Sequence, residues 1–327
     1  MAAQIDAQVN SLVSTRQNLI ASMIDMPGLV QRRGMAGATS AVSGGVSPQS
    51  DGLLLNFASS LIQSEAEAQA AGLVAASPAQ SKAFNAWIKA SVALHNRAAN
   101  GNRWGSFALL SLGADYLVNE QFLVGLALHI DRINDPSGTS SLLDGTGWLA
   151  GPYLSLELGE SVFLDASLLY GGSQNIVDTA FFDGQFATSR WMADVALSGQ
   201  WLFEDGLQIT PQLRAVYLRE QVSDYVVANA GGFAFGIVGQ ASEQLQVSTG
   251  AELQRRVDLA NGLSLTPRLG STVGLSGLGS GSAFGTLSAG LALAGDKHWL
   301  LDGSAQLNVT DRGAHAVGGR VKLSSPF

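Results

Sequence analysis

The chain has 327 residues, enough for one large domain or two ordinary ones. Only 13% are charged, 39 are glycine, and the mean hydropathy is +0.19, yet no apolar run reaches the roughly 18 residues of a spanning helix. The net charge of −8, with no basic stripe to offset it, argues against nucleic acid as a partner. The absence of cysteine excludes disulfides, thiolate metal sites and a cysteine nucleophile.

A chain this poor in charge, without a spanning helix, fits a transmembrane β-barrel, whose lipid-facing and lumen-facing residues alternate and dilute the hydropathy signal. A water-soluble all-β protein is the alternative. Met1 to Ile20 is polar and lacks the apolar core of a signal peptide, so the chain reads as mature or trimmed, with an added Met1.

Residues 2 to 25 read as a helix, with Ile5, Val9, Leu12, Ile20, Met23 and Ile24 recurring near the helical period before Pro27 and Gly28 end it. The Gly-, Ser- and Ala-rich stretch from 34 to 51 reads as a flexible linker, and 52 to 72 as a second short helix. From residue 82 the period becomes two. Twelve segments follow: 84–95, 104–117, 121–132, 147–158, 162–172, 186–203, 206–220, 235–255, 263–275, 284–295, 299–309 and 314–327. An even number is what a single-chain bacterial barrel requires.

The sixth segment separates membrane from soluble. Trp191, Ala193, Val195, Leu197 and Trp201 share one face, and Arg190, Met192, Asp194, Ser198 and Gln200 the other. At ~3.3 Å per residue the two tryptophans stand about 33 Å apart along the strand, which a tilt of about 40° projects to roughly 25 Å. That is the height of an outer-membrane apolar band with an aromatic girdle at each rim. Elsewhere too, charged residues fall on the non-apolar face, where a wet lumen would hold them at little cost. Connections near Asn119, Glu160, Asp205, Asn261 and Asp296 are short; those at 133–146, 173–185 and 221–234 are longer, which places the first set in the periplasm and the second outside. The last segment sets Val317, Val321, Leu323 and Phe327 on one face and ends the chain on an aromatic carboxy-terminus, which reads as the closing strand and assembly signal. Ser325 stands where that signal calls for an apolar residue.

Several segments then resemble the carboxy-terminal translocator domain of bacterial autotransporters (type V secretion): SFALLSLGADYLV (106–118), GTGWLAGPYLSLEL (145–158), LLYGGSQN (168–175), FATSRWMADVALSGQW (186–201) and LQITPQLRAVYLREQ (207–221). TRQNLIASMIDMPGLVQRR (15–33) resembles the segment that precedes the barrel in that family. The resemblance implies an all-β fold, a 12-stranded antiparallel transmembrane barrel with an amino-terminal α-helix in the lumen, divided as plug helix (1–33), linker (34–81) and barrel (82–327). It implies that Arg16 pairs with lumenal acids, for which strand phase offers Asp131, Glu157, Asp165, Asp194 and Glu252. Its implied partners are outer-membrane lipid, the barrel assembly machinery, periplasmic chaperones and a covalently attached passenger, which this chain reads as lacking.

Other chemistries find little support. His129 and Asp131 share a lumenal face, but a solvated pair is a better reading than a proton relay or metal site. No Gly-x-Ser-x-Gly elbow suggests an outer-membrane lipase; GSGSAFG (279–285) reads as loop. Asn10 and Asn18 lie on the helix, but neither is in the Asn-Asn pair that self-cleavage would suggest. No cofactor, metal or catalytic residue is expected. The expectation is a translocator that anchors and helps export a passenger at the bacterial outer membrane; a passive small-solute pore or a surface-interaction barrel is the alternative.

Overall fold

The period-two pattern from residue 82 onward is the pleat of the wall strands in the computed structural model, which describes residues 2–35, 41–49, 52–70, 83–96, 103–137, 141–259, 262–278, 281–295, 300–310 and 315–324. Two helices open the chain, α1 (Ala2–Met23) and α2 (Leu29–Met35), and a hairpin follows, β1 (Val42–Gln49) and β2 (Gly52–Ser60). After α3 (Leu61–Ala70) come β3 (Phe84–Asn96), β4 (Trp104–Asn119), β5 (Phe122–Ser137), β6 (Ser141–Gly159), β7 (Val162–Asp178) and β8 (Asp183–Gly199). β9 (Trp201–Leu202), β10 (Leu207–Val222), β11 (Tyr225–Ala228), β12 (Ala234–Ile237), β13 (Ala241–Arg255) and β14 (Val257–Asp258) follow. β15 (Ser264–Ser276), β16 (Ser282–Ala294), β17 (Leu300–Thr310) and β18 (His315–Ser324) complete it. β9 and β14 continue β8 and β13 past one-residue breaks, and β11 and β12 form a hairpin within one connection.

Every described pairing is antiparallel, and each wall strand is bonded to its neighbours in chain order from β1 to β18. β18 returns beside β1, although no hydrogen-bonded register joins them among the described residues. Such a ladder satisfies the backbone polar groups of each inner strand without water, the condition for crossing hydrocarbon.

The wall turns one face to lipid. In β5, Val124, Leu126, Leu128 and Ile130 are exposed while Leu123, Ala127, His129 and Asp131 are buried. Trp148, Tyr170 and Trp191, on three adjacent strands, form an exposed aromatic belt with ring centroids 6.3 and 4.6 Å apart. Trp201, Tyr116 and Phe84 are exposed toward the opposite rim.

Each of the twelve expected segments overlaps described strands, with 235–255 divided between β12 and β13, and β1 and β2 extend the ladder beyond the twelve expected. Residues 42–60 thus form a hairpin paired onto β3, where sequence composition suggests a linker and a helix; the helix covers only 61–70. The run of three leucines at 53–55 hides the alternation, although Leu55 and Phe57 point outward and Leu54 packs inward. The long connections expected at 133–146 and 173–185 are largely strand as well. Here the alternation inverts: Ile133, Leu143, Val177 and Phe186 turn inward, because water lies outside at this level and α1 lies inside.

Candidate functional site

The helix fills one side of the barrel. Ile5, Val9, Leu12, Val13, Ile20 and Ile24 are buried against inward residues of β4 to β11, among them Phe107, Leu149, Leu169, Met192 and Leu218. This surrounding is buried and largely apolar, where strand phase suggested side chains facing open water. The hydrophobic term therefore contributes to holding the helix, alongside its polar contacts.

Within that core lies a closed ring of polar side chains. Arg16 donates from Nε to Asp131 Oδ1 at 2.5 Å and from Nη1 to Asn175 Oδ1 at 2.8 Å. The other Asp131 oxygen accepts from Arg190 Nη1 at 2.9 Å, and Arg190 Nε donates to Glu220 Oε1 at 3.1 Å. Thr188 Oγ1 donates to the same Glu220 oxygen at 2.6 Å and meets Ser173 Oγ at 2.7 Å, which accepts from Asn175 Nδ2 at 2.8 Å. Two guanidiniums thus balance two carboxylates, and Arg16, Asp131, Arg190 and Glu220 are each at most 2% exposed. Paired, charge-assisted bonds are what make such burial tolerable. Gly145 and Gly147 of β6 make the ring possible: a Cβ at Gly147 would collide with both guanidiniums, and one at Gly145 with Asn175. Asp131, Gly147 and Arg190 adjoin Ile130, Trp148 and Trp191, so the ring sits level with the aromatic belt.

Below the ring the helix is tied down at intervals. Gln17 and Ser242 exchange bonds of 2.9 and 3.1 Å, Gln244 donates to Asn18 Oδ1 at 2.6 Å, and Arg214 donates to the Ile24 carbonyl at 2.8 Å. Lys89 reaches Asp25 at 3.0 Å. α2 closes the far end: Arg32 pairs with Asp115, which also accepts from Tyr153 Oη at 2.9 Å, while Trp87 Nε1 donates to Tyr153 Oη at 2.7 Å. Above the ring, Asp6 accepts from Gln240 at 3.0 Å. Burial pushes the Tyr225 phenol up to about 12, with Asp6 adding to the shift, so Tyr225 packs against the helix as a neutral ring. The helix therefore starts at the end that carries the β11–β12 hairpin and finishes at the end with short turns.

Of the acids expected to face Arg16, Asp131 is the one that meets it. Glu157 lies at the short-turn end and pairs with Arg33 at 2.6 Å. Asp194 pairs with Arg214 at 2.7 Å, and Asp165 lies against Gly28 where the chain leaves α1. Glu252 is exposed on the inward phase of β13, with no partner among the described residues. His129 is buried and bonded to Ser111 at 2.8 Å, which corrects its reading as a solvated residue. Trp191 and Trp201 are 50% and 45% exposed. Val321 and Leu323 pair with Gly303 and Leu301 in the last strand, and Phe327 lies outside the described residues. Glu220, Asp115, Arg32 and Gly147 were not singled out in the sequence. Glu220 stands on the even phase of its strand, opposite Leu213 and Tyr217, and that phase was the available signal.

An antiparallel wall with an apolar, aromatic-belted exterior and a buried interior defines an outer-membrane β-barrel protein. The family described as Autotransporter beta-domain matches residues 82–274, and the chain belongs to it. No curated protein matches by sequence. Among solved structures, the beta domain of the Bordetella autotransporter BrkA is 15% identical, with 87% of this chain and 100% of that one covered and a TM-score of 0.49. The translocator domain of NalP from Neisseria meningitidis is 12% identical, covering 98% of each chain at a TM-score of 0.48. The monoaromatic hydrocarbon channel CymD is 12% identical, covering 94% and 96% at 0.52, a likeness of fold. The family places the protein in the bacterial outer membrane.

Proposed function

We propose that the protein is a translocator that anchors a passenger at the cell surface and helps to export it, with α1 as the tether. The observation that carries this is the polarity of α1. Its first residues, Ala2 to Gln4, are exposed at the end with the β11–β12 hairpin, while the chain is locked to the wall from Arg16 on α1 to Arg33 on α2. Longer connections mark the extracellular side of bacterial barrels, so polypeptide joined upstream of Ala2 would emerge outside. The work is insertion, sealing and anchoring, and needs no catalytic residue. We assign Val321, Leu323 and Phe327 to a carboxy-terminal assembly signal read by the barrel assembly machinery, with periplasmic chaperones delivering the chain.

The test is a folded epitope fused before Ala2 in a chain exported through a secretion signal. Antibody or protease added to intact cells should reach it. An epitope reached only after the outer membrane is permeabilised would contradict the proposal.

A further inference from the structure

The outer face of the wall changes character at the aromatic belt. Below it, β5 to β8 turn Leu126, Leu128, Leu168 and Val195 to lipid. Above it, the same outward phase carries Thr146, Gln174, Gln185 and Ser189, all exposed. Gly172, opposite both Trp148 and Ser189, adds no side chain between them. A low polar floor therefore lies directly above the rings of Trp148, Tyr170 and Trp191.

An arginine stands at each end of the belt. The belt drops one outward position from Trp148, in the row of Ile130, to Trp191, in the row of Tyr170, Ala150 and Leu128. That stagger is what tilted strands need to keep a girdle level. On the same slope Arg132 of β5 ends one side, and Arg219 of β10, in register with Trp191, ends the other. Four strand spacings of ~4.8 Å separate them across the wall. Their side chains are 69% and 49% exposed, and each is held by a carboxylate. Arg132 Nη2 lies 3.3 Å from Asp144 Oδ2, which also accepts from Asn134, and Arg219 Nη1 lies 3.2 Å from Glu243 Oε1. Exposed pairs of this kind add little stability. A guanidinium has five N–H donors, so such a contact orients it and leaves most of the fork for a second anion. At the rim of an apolar band the anions at hand are the phosphates of lipid headgroups. The hydroxyl and amide side chains of the floor suit a headgroup that also presents sugar hydroxyls.

We infer that the belt and the floor above it form a docking site for a lipid of the extracellular leaflet whose headgroup is a phosphorylated sugar. Its acyl chains lie along the apolar wall, its sugar rests on the floor between Thr146 and Ser189, and its phosphates meet Arg132 and Arg219. The choice of leaflet rests on the orientation proposed above for α1; the site itself does not.

The full chain in non-ionic detergent is titrated with diphosphoryl lipid A, a phosphorylated disaccharide lipid, and the bound lipid is counted by native mass spectrometry. One lipid should stay bound. Arg132→Gln and Arg219→Gln together should weaken it about thirtyfold, the expected effect of two arginines beside an anionic headgroup. Arg132→Lys with Arg219→Lys should recover the greater part. Arg255→Gln with Arg256→Gln makes an equal charge change at exposed residues of the short-turn end and should leave binding unchanged. Phosphatidylglycerol, which carries a phosphate but no sugar, should bind more weakly. Equal losses from the two arginine pairs would reduce the effect to diffuse charge attraction and overturn the site. Undiminished binding after the first double substitution, or equal affinity for phosphatidylglycerol, would also overturn it. Micelles have no leaflets and hold no passenger, so these results leave the orientation and export readings untouched.

Discussion

At the residue scale, the decisive group is Asp131, which joins the helix to the wall by accepting from Arg16 and Arg190 on its two oxygens. Removing it leaves two buried guanidiniums facing each other. Asp131→Ala should therefore lower stability by ~3–5 kcal/mol, the cost of breaking a buried ion network by deleting one partner. Denaturant titration of the reconstituted protein checks this, and a change within the range of an exposed ion pair would contradict the ring. Gly147→Ala acts by volume alone: its methyl group enters the space of both guanidiniums and should cost about 1–3 kcal/mol as overpacking, read in the same titration. Strand phase was enough to nominate Asp131. It could not select it from the other acids, because the partner of a lumenal residue depends on the height and rotation of the helix, which no local pattern records. Glycines 145 and 147 were legible only as part of a family-like segment; their purpose appears once the two arginines are placed.

At the element scale, α1 is amphipathic in an unusual sense, with apolar residues and Arg16 buried together because the ring satisfies the guanidinium. The inverted alternation in the upper parts of β5 to β8 belongs to the same solution: above the belt the wall clothes the helix instead of meeting lipid. That inversion is why the sequence shows loops where strands continue. A search for outward apolar residues finds few there, Ile176 among them, although the period of two persists. The hairpin β1–β2 was hidden for another reason, a composition rich in Gly and Ser beside an unbroken leucine run. Its pairing onto β3 along the length of β2 makes it part of the wall. Deleting 42–60 should abolish the heat-modifiable migration of the folded barrel on gels, whereas a linker would tolerate the loss. Retained heat-modifiability would contradict its place in the wall.

At the scale of the whole molecule, the described wall is asymmetric: the inner faces of β4 to β11 are buried against the helix, and no described residue beyond Gln244 is buried. Fold class and membrane location were legible early, since alternation and aromatic spacing are imposed by lipid along each strand separately. The division of the lumen was not, since an inward polar residue looks alike in sequence whether it faces water or another buried charge.

The central claim is that the helix starts outside the cell and is locked within the barrel, and cysteine labelling tests it most directly. In intact cells, a membrane-impermeant maleimide should label Ala3→Cys at once, while Glu160→Cys, in the short turn between β6 and β7, should label only after the outer membrane is permeabilised. Labelling of Glu160→Cys in intact cells with Ala3→Cys protected would reverse the orientation and contradict the account.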